Sequence, residues 1–258
     1  NNTVTYLEPS AGNGAFLEFL PNYVALDIAP ENDKIIQQDY LSYNTDKTDF
    51  ITIGNPPFGK RSALAIQFFN KAAEMSNVIA FIVPVSFMKW SVQKCLSSNF
   101  ALHNFLYLKS ESFFVNGTPY SVRTVFQIWV KKDSVYDDGR NLRLTKQPPI
   151  SHSDFQIWQY NATPEAVKYV DEDWVYATYR QGYHDYNQLF TRKDYSTIKA
   201  NMTGATKQQF FFIKPLTSEA ECIILNMDFN ALAERNTTTP GFGKGDFVSY
   251  YTELKNKE

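Results

Sequence analysis

Short apolar runs recur through the first half of the chain, separated by turn residues and by stretches with helical spacing. Residues 3–7 read as a strand, followed by the turn Glu8-Pro9-Ser10-Ala11-Gly12-Asn13-Gly14 and an apolar helix start over 15–20. Residues 23–26 read as a second strand ending at Asp27, and residues 35–38 as a short run ending in Asp39-Tyr40-Leu41. Residues 50–53 form a further strand that runs through Gly54 into Asn55-Pro56-Pro57-Phe58. The spacing of Leu64, Ile66, Phe68, Phe69, Ala72 and Ala73 predicts a helix over 62–75. Residues 78–85 read as a buried strand, with Pro84 close to its end, where a lost ladder bond is tolerable. A helix over 92–98, a strand over 101–109 and an alternating strand over 123–131, hairpinned through 113–119, complete the pattern. Strands alternating with helices in this way predict an α/β, doubly wound sheet with an antiparallel hairpin at its end.

Residues 131–149 are polar, contain Asp-Asp-Gly and Pro-Pro, and read as a linker. The chain is therefore expected to hold two parts, 1–148 and a smaller α+β region over 149–258. Strands are predicted at 174–180 and 208–213, and helices at 164–170, 218–232 and 246–254. Ten aromatic residues fall within 174–213, interleaved with Arg180, Arg192 and Lys193. They read either as a small aromatic core or as a surface that stacks bases and grips phosphates. The run Thr239-Pro240-Gly241-Phe242-Gly243-Lys244 reads either as a tail end or as a segment packing near a ligand.

Composition narrows the picture modestly. The chain has 258 residues, 43% hydrophobic and 20% charged, which is globular, and a high aromatic share of 16%. The formal net charge of −2 advertises no polyanionic partner, yet residues 81–150 hold nine Lys/Arg against four acids. Two distant cysteines, Cys95 and Cys222, fit no metal spacing and suit a reduced, intracellular protein. No apolar run is long enough to span a bilayer, so no membrane partner is expected. The chain begins without Met and enters a strand almost at once, so an upstream segment is expected.

The candidate chemistry lies at successive strand ends. Gly12 and Gly14 allow close backbone approach to a ligand, while Leu17 stands where a dinucleotide fingerprint needs its third glycine, so a pyrophosphate is disfavoured. Asp27 is placed for a ribose diol and Asp39 for an adenine amine, each with the alternative of a helix cap or loop residue. In Asn55-Pro56-Pro57-Phe58 the prolines hold Asn55 extended and leave carbonyl acceptors without neighbouring donors. The Asn55 amide oxygen and the Pro56 carbonyl can each accept one N–H of an exocyclic amine, with Phe58 stacked on the ring. The alternative is a strand-ending turn with a packed Phe.

Glu-Pro-x-x-Gly-x-Gly followed by Asn-Pro-Pro-Phe resembles the cofactor and catalytic motifs of S-adenosylmethionine-dependent amino-methyltransferases, most similarly the DNA adenine-N6 methyltransferases whose target-recognition part lies C-terminally. The resemblance implies a Rossmann-like class I methyltransferase sheet over 1–148 and a target-recognition region over 149–258. It implies a cofactor site of Glu8, Pro9, Ser10, Ala11, Gly12, Gly14, Asp27, Ile28, Asp39, Tyr40 and Asn55, and catalysis at Asn55, Pro56, Pro57 and Phe58. Contacts to the target are expected from Phe58, Lys60, Asn116, Arg180 and Tyr183. DNA is the expected partner, of a monomer or of a piece of a larger modification protein. The alternatives are RNA methylated at adenine N6 or guanine N2, a protein glutamine, or a catalytically silent methyltransferase-like domain that binds nucleic acid. No metal is needed, and neither cysteine follows a proline near a strand end, as cytosine-C5 chemistry would require.

Overall fold

The computed structural model describes residues 4–109, 113–115, 118–120, 122–235 and 239–256. The chain divides into two compact units, Asn1–Lys146 and Gln147–Glu258. No helix among the described residues is long and apolar enough to cross a membrane.

The first unit runs β1 (Tyr6–Glu8), β2 (Tyr23–Asp27), β3 (Ile36–Gln37), β4 (Phe50–Gly54), α1 (Ala63–Met75), β5 (Ser76–Pro84), α2 (Trp90–Gln93), β6 (Phe100–Tyr107), β7 (Phe113–Val115), β8 (Thr118–Tyr120) and β9 (Thr124–Lys131). Seven of these strands form one sheet in the order β3-β2-β1-β4-β5-β9-β6. The pairs from β3 to β5 are parallel, while β9 runs antiparallel to both β5 and β6. This is the Rossmann-like sheet with a terminal antiparallel pair that the sequence predicts. The β7 and β8 strands pair with each other as a separate small ladder.

Burial explains the sequence of β5, in which seven of nine positions are inaccessible. A central strand covered on both faces is a continuous apolar run. On α1, Ala65, Phe68, Phe69, Ala72 and Met75 form the buried stripe. Phe69 meets Phe100 and Trp129 edge-on at ring-centroid distances of 6.0 and 5.2 Å. Burying each such side chain contributes roughly 1.5–3 kcal/mol.

Two expectations for this unit need correction. The helix predicted over 15–20 is a single 3₁₀ turn, Leu17–Phe19, because Pro21 forces the preceding Leu20 into an extended conformation (φ −107°, ψ 114°). The helix predicted over 92–98 likewise contracts to the four residues of α2. The stretch read as a linker is also partly built into the unit. The Arg143 guanidinium donates to the carbonyls of Ser97, Phe100, Gln93 and Leu96 at 2.5–3.0 Å. It also lies 5.6 Å from the centre of the Trp129 ring. One cation thus gathers four carbonyls between Gln93 and Phe100, two of which, those of Gln93 and Ser97, also accept a backbone N–H, a use of polar sequence that composition does not distinguish from a linker.

The second unit runs β10 (Phe155–Gln159), β11 (Tyr176–Gln181), β12 (Phe190–Thr191), α3 (Tyr195–Thr203), β13 (Gln209–Pro215), α4 (Ser218–Leu225), α5 (Phe229–Glu234) and α6 (Lys244–Lys255). Its antiparallel sheet has the order β10-β13-β11-β12. Successive side chains of β13 point to opposite faces. Phe211 and Ile213 pack with α4, α5 and α6, whereas Phe210 and Phe212 pack with Trp174, Ile198 and Met202. Most of the aromatic run is therefore core, the first of its two readings.

The helix predicted over 218–232 is two helices, each with its own cap. The Thr217 hydroxyl accepts from the Ala220 N–H, and the Asp228 carboxylate accepts from the Ala231 N–H. The Thr239-Pro240 run is no tail end: the Pro240 carbonyl accepts from the Tyr186 hydroxyl (2.7 Å) and the Gly182 N–H (3.1 Å), and Phe242 is buried.

Arg143→Ala should lower the stability of the first unit by roughly 3 kcal/mol in denaturant unfolding, because four carbonyls lose a charged donor together. Arg143→Lys should recover only part of the loss, since an ammonium cannot span the four acceptors.

Candidate functional site

In the sheet, β1 lies between β2 and β4, so the chain leaves β1 toward one side and returns to its other side after β3. Ligands of open α/β sheets bind beyond the carboxyl ends of the strands at such a reversal. The β1 end carries Glu8 and the β4 end carries Asn55, and the two strands pair in register, Tyr6 with Ile51 and Leu7 with Thr52.

Backbone contacts hold the two tips together. A Cβ on Gly54 would lie 3.4 Å from Pro9 Cδ and 3.7 Å from Glu8 Cγ, in ordinary contact with the β1 tip, so the two tips pack directly against each other. The Ser10 hydroxyl donates to the Asn55 carbonyl (3.2 Å). Gly12 adopts φ +55°, a conformation that favours glycine, and the space a Cβ would enter there is open. The Gly12 N–H donates to Asp27 Oδ2 (2.8 Å), and the Gly12 carbonyl accepts from the Glu31 N–H (3.0 Å). Asn32 donates from its side chain to the Asn13 carbonyl (3.2 Å). The segment after β2 thus straps the glycine turn, and Glu31 and Asn32 carry no sequence signal for this because they sit in an ordinary polar loop run.

Asp27 Oδ1 also accepts from the Ala29 N–H (2.8 Å), so each oxygen holds one backbone donor and keeps a further acceptor direction. Ile28 is exposed beside it. Asp39 caps the 3₁₀ turn Tyr40–Ser42, its Oδ1 accepting from the Leu41 N–H (3.0 Å). Tyr40 is in the core rather than at the open edge, its ring 5.0 Å from that of Phe68, and burial pushes its phenol pKa up.

At the ledge, Pro56 is buried, Pro57 and Lys60 are exposed, and Phe58 meets Phe113 edge-on at 6.5 Å. The Ser62 hydroxyl pairs with that of Ser86 at 2.8 Å, tying the turn after the ledge to the residues that follow β5.

Two acceptors at these neighbouring tips have no hydrogen-bond partner among the described residues although both are buried: Glu8 Oε2 and Asn55 Oδ1. Buried polar atoms without partners are uncommon and mark places where a ligand donor can enter. Glu8 is 1% exposed, and burial, with a further push from the Asp27 charge, raises its pKa to about 7. A cation bound beside it would restore the carboxylate. The residues present therefore fit a ligand that carries donors and positive charge, as S-adenosylmethionine does through its ammonium and sulfonium groups.

The target-contact residues expected from the second unit divide. Tyr183 is 84% exposed. Arg180 is engaged inside the unit: its guanidinium donates to the side-chain oxygens of Gln209 and Gln181, and burial lowers its pKa. Asn116 lies outside the described residues.

No protein-family model matches the chain, and a search of curated proteins finds no match. Solved structures do resemble it. The type IIL restriction-modification enzyme MmeI, in a structure with DNA, aligns over 94% of this chain at 10% identity, with a TM-score of 0.51. The chain spans 61% of the length of that enzyme. A chain of a type I restriction-modification system covers 50% of this chain and 38% of its own (13% identity, TM-score 0.40). The 23S rRNA methyltransferase ErmE covers 51% of this chain and 62% of its own (11% identity, TM-score 0.38). At these identities the likeness is one of fold.

Glu8 makes stability depend on pH. Its folded pKa lies above the ordinary value of 4.5, so the folded state holds the proton more tightly. Its contribution is fully present below pH 4.5 and is lost as pH rises through about 7. Denaturant unfolding between pH 5 and 8 should show this loss, on the order of 2–3 kcal/mol, and Glu8→Gln should flatten it.

Proposed function

We propose that the chain is an S-adenosylmethionine-dependent methyltransferase acting on the exocyclic amine of a nucleic-acid base, adenine N6 in DNA. The observation that carries the reading is the pair of unpartnered buried acceptors, Glu8 Oε2 and Asn55 Oδ1, at adjacent strand ends. The MmeI likeness supports the fold this requires.

When bound, the cofactor supplies an activated methyl group on a sulfonium. Glu8 and the Ser10–Gly14 turn hold its methionine part, with the open space at Gly12 admitting it. Asp27 offers its remaining acceptor directions to the ribose hydroxyls. The free oxygen of Asp39 and the exposed Ile28 side chain flank the adenine, while Tyr40 supports that wall from the core.

The target amine is a weak nucleophile because its lone pair is delocalised into the ring. Asn55 Oδ1 and the Pro56 carbonyl each accept one of its N–H bonds, which favours the pyramidal form and stabilises the positive charge that develops on nitrogen. Phe58 stacks on the base, fixing its plane, and Phe113 braces Phe58 from the side. The base leaves its helix to reach the ledge. Neither acceptor is a base at neutral pH, so the proton released after transfer passes to solvent. Much of the rate enhancement lies in placement. Tyr183 and the second unit serve target recognition in this reading.

Asn55→Ala should reduce methyl transfer from labelled cofactor at least ~100-fold, the scale of losing one aimed polar group, while calorimetry shows cofactor affinity within a few-fold. Unchanged turnover would refute the role of the ledge. Cofactor affinity of the unaltered protein should rise with pH and level off above about 7, because a cation beside Glu8 releases its proton.

A further inference from the structure

We propose that the carboxyl edge of the first unit's sheet is electrostatically divided at β4, and that its basic half is the track for the sugar-phosphate backbone of the nucleic acid. This deepens the function proposed above and rests on that reading for the identity of the site.

Topology defines the two halves. On one side of the ledge are the ends of β1, β2 and β3. They present Glu8, Asp27 and Asp39, with Glu31 and Asp33 in the loop after β2 and Lys34 the single cation among them. On the other side lie the turn after β4, the end of β5, the start of β9 and the end of β6. Pairing of Pro84 with Thr124 and of Tyr107 with Val125 brings these last three to the same edge. They carry Lys60, Arg61, Lys89, Lys109 and Arg123. No described residue on this side supplies an acid. Lys60, Arg61 and Lys109 are exposed, and none of them takes part in an ion pair among the described residues.

The position of the basic turn is fixed. Lys60 and Arg61 follow the ledge after the single residue Gly59, Arg61 and Ser62 have φ of +54° and +62°, and the Ser62–Ser86 hydroxyl pair joins this turn to the β5 end. The cations are therefore presented beside Phe58.

A formal net charge of −2 conceals this division. A cationic cofactor suits the acidic half, and a polyanion whose reacting base enters at the ledge suits the basic half. A neutral glutamine side chain on a protein would give no reason for three exposed cations, Lys60, Arg61 and Lys109, on one side of the site. Exposed charges act over about 8 Å at physiological salt, so the two fields remain separate along an edge several strands wide. Lys131, the last residue of β9, and Lys132 after it lie at the opposite edge and provide an internal control of equal charge.

The test uses the full chain and anisotropy of a labelled 30-base-pair DNA duplex and of a labelled RNA strand across a salt series. Lys60→Gln/Arg61→Gln should weaken binding at least ~10-fold and reduce the slope of log K against log salt by about 2, one per phosphate contact. Lys131→Gln/Lys132→Gln, which removes the same charge, should change affinity less than ~2-fold. Circular dichroism and melting temperature confirm that each variant is folded, and cofactor affinity is measured on each by calorimetry. Equal weakening of both doubles would overturn the track in favour of bulk charge, and cofactor binding without binding to either nucleic acid would also overturn it. Preference for DNA or for RNA identifies the strand that uses the track. A protein that shows the slope difference but binds no cofactor would uphold the track and strike the methyltransferase reading instead.

Discussion

The close parallel pairing of β1 and β4 is the constraint on which the candidate site depends. It places the glycine turn and the Asn-Pro-Pro-Phe ledge at neighbouring strand ends, with Gly54 packed against Glu8 and Pro9. The Ser10 hydroxyl then ties one tip to the carbonyl of Asn55. Because β1 is followed by β2 on one side and flanked by β4 on the other, no connection crosses above this pair, and the crevice is a consequence of strand order. The helices and the aromatic core of the unit support that spacing from below.

The same geometry governs the electrostatics. Glu8 is drawn from water by the sheet it terminates, and Asp27 is held close because it accepts from the Gly12 N–H. Burial and a like charge both work against ionisation, so the crevice carries an acid whose pKa is raised to about 7. A donor-bearing cation relieves both costs at once. Structure and ligand chemistry are thereby linked through one carboxyl group rather than through a general negative potential.

Much of the first unit was legible in the sequence because its central strand β5 is buried on both faces and an apolar run of that kind signals burial directly, while β4 alternates buried and partly exposed positions as a strand does. The 15–20 stretch has the apolar content of a helix but only six residues before Pro21, and the proline decides the outcome. Arg143 could not be read at all, since its role is to collect carbonyls from a segment some fifty positions earlier. In the second unit β10 escapes notice because its alternation lasts only five residues, and α3 because Ser196, Thr197 and Asn201 are weak helix formers. At the site, Glu8, Gly12, Asp27 and Asn55 are single letters in recognisable motifs, whereas the strap through Glu31 and Asn32 depends on backbone hydrogen bonds that no motif encodes. Asp39 shows the converse, since the cap that its Oδ1 provides is a local role that the residue type by itself suggests.

The most direct measurement is transfer of labelled methyl from S-adenosylmethionine to duplex DNA and to total RNA, followed by nucleoside analysis of the product. The account predicts N6-methyladenine in the DNA. Cofactor bound by a folded protein with no label in either nucleic acid would contradict it, and label confined to RNA would preserve the ledge chemistry while refuting the substrate.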